Sequence, residues 1–196
     1  MKLSIITPCS RPLNLPAIYA SILQMGSVDI EWLIVFDSDV IDYRIKQYEE
    51  NIQIRLFNCK RGLGLGAKQR NYALDYVSGD WIYYLDDDNL VHPKLHNKIR
   101  SYGEKDKILL FNQFSTRLER RIEGFNLKDL KRGYIDTAQI IVPKKYKYVK
   151  WQDRKGCVEE HDYLIDLIKE AGEENVKWVN RIFTYRNYLR RYQMKN

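Results

Sequence analysis

Short apolar runs broken by proline, glycine or charged residues set the rhythm of the first half of the chain. Residues 2–7 (Lys-Leu-Ser-Ile-Ile-Thr) are β-rich and stopped by Pro8 and Pro12, which predicts a buried first strand. A helix is expected over residues 13–25, ended by Gly26. Residues 31–36 read as a second buried strand, with Asp37-Ser38-Asp39 as the polar loop at its carboxyl end. A helix over 43–50 and a third strand over 53–57 follow. The run Arg61-Gly62-Leu63-Gly64-Leu65-Gly66 reads as a flexible loop. It leads into an amphipathic helix over 67–77 with Ala67, Ala73, Leu74 and Val77 on its apolar side, closed by Ser78-Gly79. Residues 81–85 form a fourth strand that runs into Asp86-Asp87-Asp88-Asn89.

The second half is less regular. Strands are expected over 107–114 and 137–142, the latter stopped by Pro143. Residues 115–132 are highly charged and read as a mobile excursion. A helix over 159–171 carries the buried stripe Leu164, Leu167, Ile168 and Ala171 and ends at Gly172, and short strands are expected over 176–179 and 182–185. There is no internal repeat and no linker. The expectation is one domain over 1–196, with a regular first half (1–103) and a less regular second half (104–196). Alternation of strand and helix predicts an α/β fold, a mostly parallel central sheet with helices on both faces. Ligands of such sheets bind beyond the carboxyl ends of the strands. That rule brings residues 7–11, 37–39 and 86–89 to one rim.

Composition narrows the class. With 44% hydrophobic, 13% aromatic and 30% charged residues, the chain is globular rather than disordered. Its longest apolar runs, such as Trp32-Leu33-Ile34-Val35-Phe36, are strand-sized, well short of the roughly 20 residues that cross a bilayer. Met1-Lys2-Leu3 enters a strand directly and shows no signal-peptide pattern. Cys9, Cys59 and Cys157 are odd in number and lack CxxC spacing, which fits a reducing, cytoplasmic setting without disulfides or zinc. His92 and His96 lie four residues apart with no metalloprotease acid between them and are expected to face solvent, and His161 stands alone. The net charge of +7 attracts anions of several kinds without choosing among them.

Three segments carry candidate chemistry. Asp86-Asp87-Asp88 places three carboxylates at the end of a buried strand, where mutual repulsion costs stability unless a cation joins them. Divalent metals held by few carboxylates and completed by phosphates meet that need, and the alternative is a solvated acidic turn. The glycine-rich run with Lys68 and Arg70 lacks the Ser or Thr of a Walker A loop and the spacing of a dinucleotide fingerprint. What remains is a helix N-terminus with two cations, suited to an anion or simply exposed. Glu160, in Glu159-Glu160-His161-Asp162, extends the buried stripe of its helix by helical steps and points inward, while Asp162 points elsewhere. Its position is equally that of a helix-capping acid.

Together these residues resemble the family 2 glycosyltransferases of the GT-A fold. Ser4-Ile5-Ile6-Thr7-Pro8-Cys9-Ser10-Arg11-Pro12 is similar to the family's opening strand and base-binding loop, and Leu33-Ile34-Val35-Phe36-Asp37-Ser38 to its second strand. Gly66-Ala67-Lys68-Gln69-Arg70-Asn71-Tyr72-Ala73-Leu74, followed by Ser78-Gly79-Asp80-Trp81-Ile82, is similar to its most recognisable stretch. Tyr84-Leu85-Asp86-Asp87-Asp88-Asn89 resembles the DxD motif, and also the related β-1,3-glucuronyltransferases. The resemblance implies that Thr7, Pro8, Ser10, Arg11, Asp37, Lys68, Arg70, Asp86 and Asp87 bind a nucleotide sugar and that Asp88 holds Mn²⁺ or Mg²⁺. It makes Glu160 the catalytic base. The acceptor is expected at the second half, over residues 115–132 and 134–139 with Asp136 and Glu159, and with Trp151 as an aromatic platform for sugar or simply as core. It implies inverting transfer from a nucleoside diphosphate sugar, UDP-linked by preference, to a glycan or lipid-linked hydroxyl. Tyr185-Arg186-Asn187-Tyr188 departs from the family pattern, because no histidine follows the Tyr-Arg pair to serve as a further metal ligand. Water or phosphate would fill that place.

Three rival readings stand beside this one. A basic, tyrosine-rich surface suits a nucleic-acid-binding module, but an acidic triplet at the cleft opposes it. A nucleotidyltransferase would open with a glycine- and arginine-rich loop where Pro8-Cys9-Ser10-Arg11-Pro12 stands. The third is an inactive relative that binds nucleotide sugars. The basic tail from Arg186 reads as a solvated C-terminus or as a peripheral contact with an anionic membrane.

Overall fold

The structure is a computed structural model. It describes residues 1–26, 29–102, 106–115, 133, 135–155 and 159–190 in full and residues 120–122 as backbone. Among them, strands β1 (Leu3–Cys9), β2 (Ile30–Phe36), β3 (Gln53–Asn58), β4 (Trp81–Tyr84), β5 (Leu90–Val91), β6 (Ile108–Ser115), β7 (Arg120–Ile122), β8 (Ile140–Pro143) and β9 (Val176–Arg186) form one sheet. The order is β3-β2-β1-β4-β8-β6-β9-β5, with β7 on β6. Helices α1 (Leu15–Leu23), α2 (Ala67–Leu74), α3 (Leu95–Ser101) and α4 (Glu159–Ala171) cover it.

The first four strands are parallel, with β1 between β2 and β4. The chain leaves β1 toward β2 on one side and reaches β4 on the other, so a crevice opens at the carboxyl ends of β1 and β4. Beyond β4 the sheet is mixed. β8 is antiparallel to both β4 and β6, β9 runs parallel to β6, and β5 pairs antiparallel with β9. The runs 3–6 and 30–36 are buried on both faces, as covered parallel strands require. One core layer joins α1 and α3 to Leu3, Ile5, Trp32 and Ile34, and the other joins α2 and α4 to Ile6, Leu33, Val35 and Tyr84.

Several expected elements differ in detail. Residues 43–48 form a 3-10 helix rather than an α-helix, and Pro12–Asn14 precedes α1 as a 3-10 turn. α2 stops at Leu74, and residues 137–139 are a 3-10 turn before β8. The two short strands expected near the end are one strand, β9, whose pairing with β6 shifts register at Phe111/Asn112 and Asn112/Gln113. β5 and α3 are new. His96 lies on α3 and is buried rather than solvent-facing, while half-buried His92 precedes the helix and stacks on Tyr185. Cys9 and Cys59 are free thiols, and Cys157 lies outside the described residues, as does most of the expected excursion over 115–132. No helix among the described residues is long and apolar enough to cross a membrane.

Candidate active site

A cavity of about 510 Å³ opens at the crevice between β1 and β4. Asp87 sits at its floor and closes the loop after β1. One carboxylate oxygen accepts from the backbone N–H groups of Ser10 (2.6 Å) and Arg11 (2.7 Å) and from the Ser10 hydroxyl (2.9 Å). The other accepts from the Arg11 guanidinium at 2.6 Å, and the Asp87 carbonyl accepts from Asn14 at 2.8 Å. Four donors on a carboxylate only 4% exposed leave Asp87 as the clamp that shapes the Ser10–Arg11 loop.

Asp86 is more exposed. Its oxygens accept from Arg70 Nη2 at 2.7 Å and from the Thr137 hydroxyl at 2.9 Å. Arg70 is buried, with its guanidinium stacked over Trp151 at 4.7 Å and Nη1 reaching Glu159 at 3.4 Å and the Leu65 carbonyl at 3.1 Å. The glycine-rich loop is tied to the same group. Gly64 N–H donates to Asp153 at 2.7 Å, and Leu65 N–H donates to Glu159. Arg70, one of the two cations expected to receive an anion from outside, is thus taken by the protein's own carboxylates, as are the N–H groups of Gly64 and Leu65.

Asp88 is 3% exposed. Burial pushes its carboxyl up, Asp86 adds to this, and Arg190 opposes it. Its Oδ2 accepts from Arg190 Nε and lies 3.6 Å from the Arg11 guanidinium. Its Oδ1 takes no hydrogen bond among the described residues, which also contain no group of three or more His, Cys, Asp or Glu arranged around a metal. A divalent cation therefore fits in one form only, on a single open carboxylate oxygen with its remaining ligands supplied by phosphate and water.

Glu160 stands on the first turn of α4 and lines the cavity wall with Asp86 and Asp136. Burial pushes its carboxyl up, and the charges of Asp86 and Glu159 add to this. A hydrogen bond from its own backbone N–H and the Arg70 charge pull the other way. Asp136 is buried, caps the 3-10 turn ahead of β8, and pairs with Arg186 at 2.7 Å. Its carboxyl is pushed up to about 6, by burial first and by Asp86 and Glu160 after it, with Arg186 opposing.

Pro8, Ser10, Arg11, Asp37, Arg70, Asp86, Asp87, Asp88, Asp136 and Glu160, all singled out in the sequence, meet at this cavity. Four do not. Thr7 is fully buried and accepts from Trp32 Nε1 at 2.8 Å, so its side chain faces the core. Lys68 projects to solvent from the outer face of α2 and is absent from the lining. Trp151 is 2% exposed and stacks on Tyr163 with ring centroids 3.9 Å apart, which makes it core rather than a platform for sugar. Glu159 is buried beneath the glycine loop as its anchor. Asp162 is buried too, held by Arg154 and His161. Ser115, from the segment expected at the acceptor, and Arg186, from the Tyr-Arg pair noted in the sequence, also line the cavity. Arg61 and Arg190 line it without having been expected there, and the only sequence signal for Arg190 is the basic bias of the tail.

The chain is similar to known proteins in sequence and in fold. A Haemophilus influenzae protein described as an uncharacterised glycosyltransferase is 25% identical over 201 residues, covering 93% of this chain and 67% of its own. The fold matches S. aureus TarS 1-349 in complex with UDP-GlcNAc (TM-score 0.74, 14% identity, 94% of this chain) and the same protein in complex with UDP (TM-score 0.69, 15% identity, 94% of this chain). This is the GT-A architecture, and the chain spans 58% and 60% of those two TarS chains. The family model for glycosyl transferase family 2 matches residues 4–148, from the start of β1 past Asp136 and β8, so the chain belongs to glycosyl transferase family 2.

Proposed function

We propose that this protein is an inverting glycosyltransferase that moves a sugar from a nucleoside diphosphate sugar to a hydroxyl of a glycan or lipid-linked acceptor, with Mn²⁺ or Mg²⁺ at Asp88. The observation that carries it is Glu160, a carboxylate of raised basicity that shares one cavity with the Asp86–Asp88 rim. TarS, of the same fold, is described in complex with UDP-GlcNAc, which favours a uridine donor.

In this reading Pro8, Ser10, Arg11 and Asp37 border the nucleoside, and Asp86, the more exposed of the triplet, contacts the ribose. Asp87 acts one step back, by fixing the Ser10–Arg11 loop. Asp88 Oδ1 would hold the cation, whose bound charge offsets that of the departing diphosphate. Glu160 accepts the acceptor's hydroxyl proton while that oxygen bonds to the anomeric carbon. The bond from that carbon to the diphosphate oxygen breaks on the opposite face, and its electron pair leaves with the diphosphate. One carboxylate suffices, since no covalent intermediate forms. Asp136, Ser115 and Arg186 supply polar lining on the acceptor side.

The test is a panel of nucleotide sugars assayed for Mn²⁺-dependent thermal stabilisation and then for donor hydrolysis. A UDP-sugar is expected to stabilise the protein with metal and to be hydrolysed, and Asp88→Ala is expected to lose the metal-dependent part of the binding. A panel without any stabilising member would overturn the reading.

A further inference from the structure

The C-terminal end of β9 turns back beneath the acidic loop and is fastened to it. Asn187 N–H donates to Asn89 Oδ1 at 2.8 Å, and Leu189 N–H donates to the Asp88 carbonyl at 3.1 Å. Leu189 is buried in the core layer of α1 and α3. Asn187 makes the turn with φ of 55°, a left-handed conformation that asparagine tolerates better than most residues. The Asp88 carbonyl and the Asn89 side chain are therefore tied to the backbone just before Arg190.

This arrangement fixes where Arg190 emerges but leaves most of its guanidinium uncommitted. Nε donates to Asp88 Oδ2, and neither terminal nitrogen has a hydrogen-bond partner among the described residues. The side chain lines the cavity and is 45% exposed. Arg11, also on the cavity, lies 3.6 Å from the same Asp88 oxygen. A guanidinium offers a planar fork of donors matched to paired phosphate oxygens. Here that fork is aimed by a carboxylate, over the rim where the donor's diphosphate would lie.

We propose that Arg190 is a diphosphate-binding residue of the donor site, with Asp88 orienting it through Nε and its terminal nitrogens taking phosphate oxygens. The proposal rests on the nucleotide-sugar reading above and deepens it. It gives the leaving group a protein-borne positive charge besides any metal, at a position the chain reaches only through its last strand. Breaking the sugar–oxygen bond places additional charge on the diphosphate, so a fixed guanidinium there favours the departing group over the bound donor.

The experiment measures UDP affinity by titration calorimetry, in EDTA and again with Mn²⁺, for the wild type, Arg190→Ala and Arg190→Lys. Uridine, measured by ligand-observed NMR, serves as the phosphate-free control, and thermal melting checks the fold. A charge-assisted hydrogen-bond pair corresponds to a loss of about 10–100-fold. Arg190→Ala is expected to lose UDP affinity by that factor even in EDTA while binding uridine as the wild type does, and Arg190→Lys to recover part of the loss. If Arg190 served only to prop Asp88, the variant would lose the Mn²⁺-dependent gain and keep its metal-free UDP affinity, a result that overturns the proposal. If Arg190→Ala melts early, Arg190→Lys decides, since metal-free UDP affinity equal to that of the wild type overturns the proposal as well. A wild type with no UDP affinity in either condition overturns the uridine donor reading and this proposal with it.

Discussion

Glu159 and Glu160 are adjacent and chemically identical, yet the helix sends them to different work. Glu159 turns under the glycine loop and is consumed by Leu65 N–H and Arg70. Glu160, about 100° further round, reaches the cavity. Its carboxyl is raised by burial, so the base form needed for proton removal is lost at a higher pH than for an exposed glutamate, near 4.3. The acid limb of turnover against pH is therefore expected above that value. Asp136→Asn removes a neighbouring carboxylate and should leave the limb in place. Glu160→Gln should bind donor nearly as the wild type does and lose about 10²–10⁴-fold in turnover. Undiminished turnover in that variant would remove Glu160 from the role. Helical phase turned this residue inward in the sequence but left capping equally open, and the base role came from the resemblance to family 2 glycosyltransferases. The commitment of Asp87 to the Ser10–Arg11 loop was not legible, nor was the arrival of Arg190, because its partner lies 102 residues away and only the pairing of β5 with β9 brings the two together.

At the scale of elements, the glycine loop is the clearest case of a local pattern with a non-local purpose. Its composition suggested a mobile loop opening a helix N-terminus to an anion, yet the loop is held by carboxylates from Asp153 and α4. The glycines are needed for that closeness. A Cβ at Gly64 would land on the Glu159 carboxylate, and Gly66 caps α2 with φ of 100°, where a Cβ would lie 3.1 Å from Pro8. Gly66→Ala should cost about 1–2 kcal/mol from backbone conformation alone. In a domain of this length that is a fall in Tm of about 2–8 °C. Because the strain falls beside Pro8, which the proposed function sets against the nucleoside, donor KM should rise more than kcat falls. A Tm and KM equal to the wild type would show that the loop tolerates a side chain. Strands β1 to β4 were legible because their signals are local runs ended by Pro8, Asp37 and Asp86. The order β8-β6-β9-β5 was not, since a mixed sheet edge depends on pairings between distant segments, and β5, two residues long, carries no periodicity to detect.

Across the whole molecule, parallel strands that present their carboxyl ends to the cavity must bury their amino ends elsewhere, and Glu31 organises that opposite end. It is a fully buried carboxylate on β2 that accepts from the Ser4 hydroxyl (2.5 Å) on β1 and from Ser78 N–H (2.5 Å) and Gly79 N–H (3.2 Å) ahead of β4, with Lys2 and Arg55 close by. One side chain thus ties together the three strands whose far ends carry Ser10, Asp37 and Asp86. Burial alone would raise its pKa, but the hydrogen bonds from Ser4 and Ser78 and the charge of Lys2 outweigh it, and the net shift is downward. A carboxyl whose folded pKa lies below its unfolded value adds stability above the unfolded value, about 4.3, and that contribution is lost as pH falls through the folded value. Melting followed from pH 7 downward should therefore show Tm falling below about pH 4. Glu31→Gln keeps the shape, removes the charge and turns a donor toward groups that already donate. It should melt lower at pH 7 by the equivalent of about 1–3 kcal/mol and show a shallower acid decline. A variant that matched the wild type at pH 7 and kept the full decline would remove Glu31 as the source of the acid sensitivity. The two ends separate cleanly, because Asp88 and Asp136, raised rather than lowered, contribute with the opposite sign: their stability is full below the unfolded value and is lost as pH rises through the folded one, about 6 for Asp136.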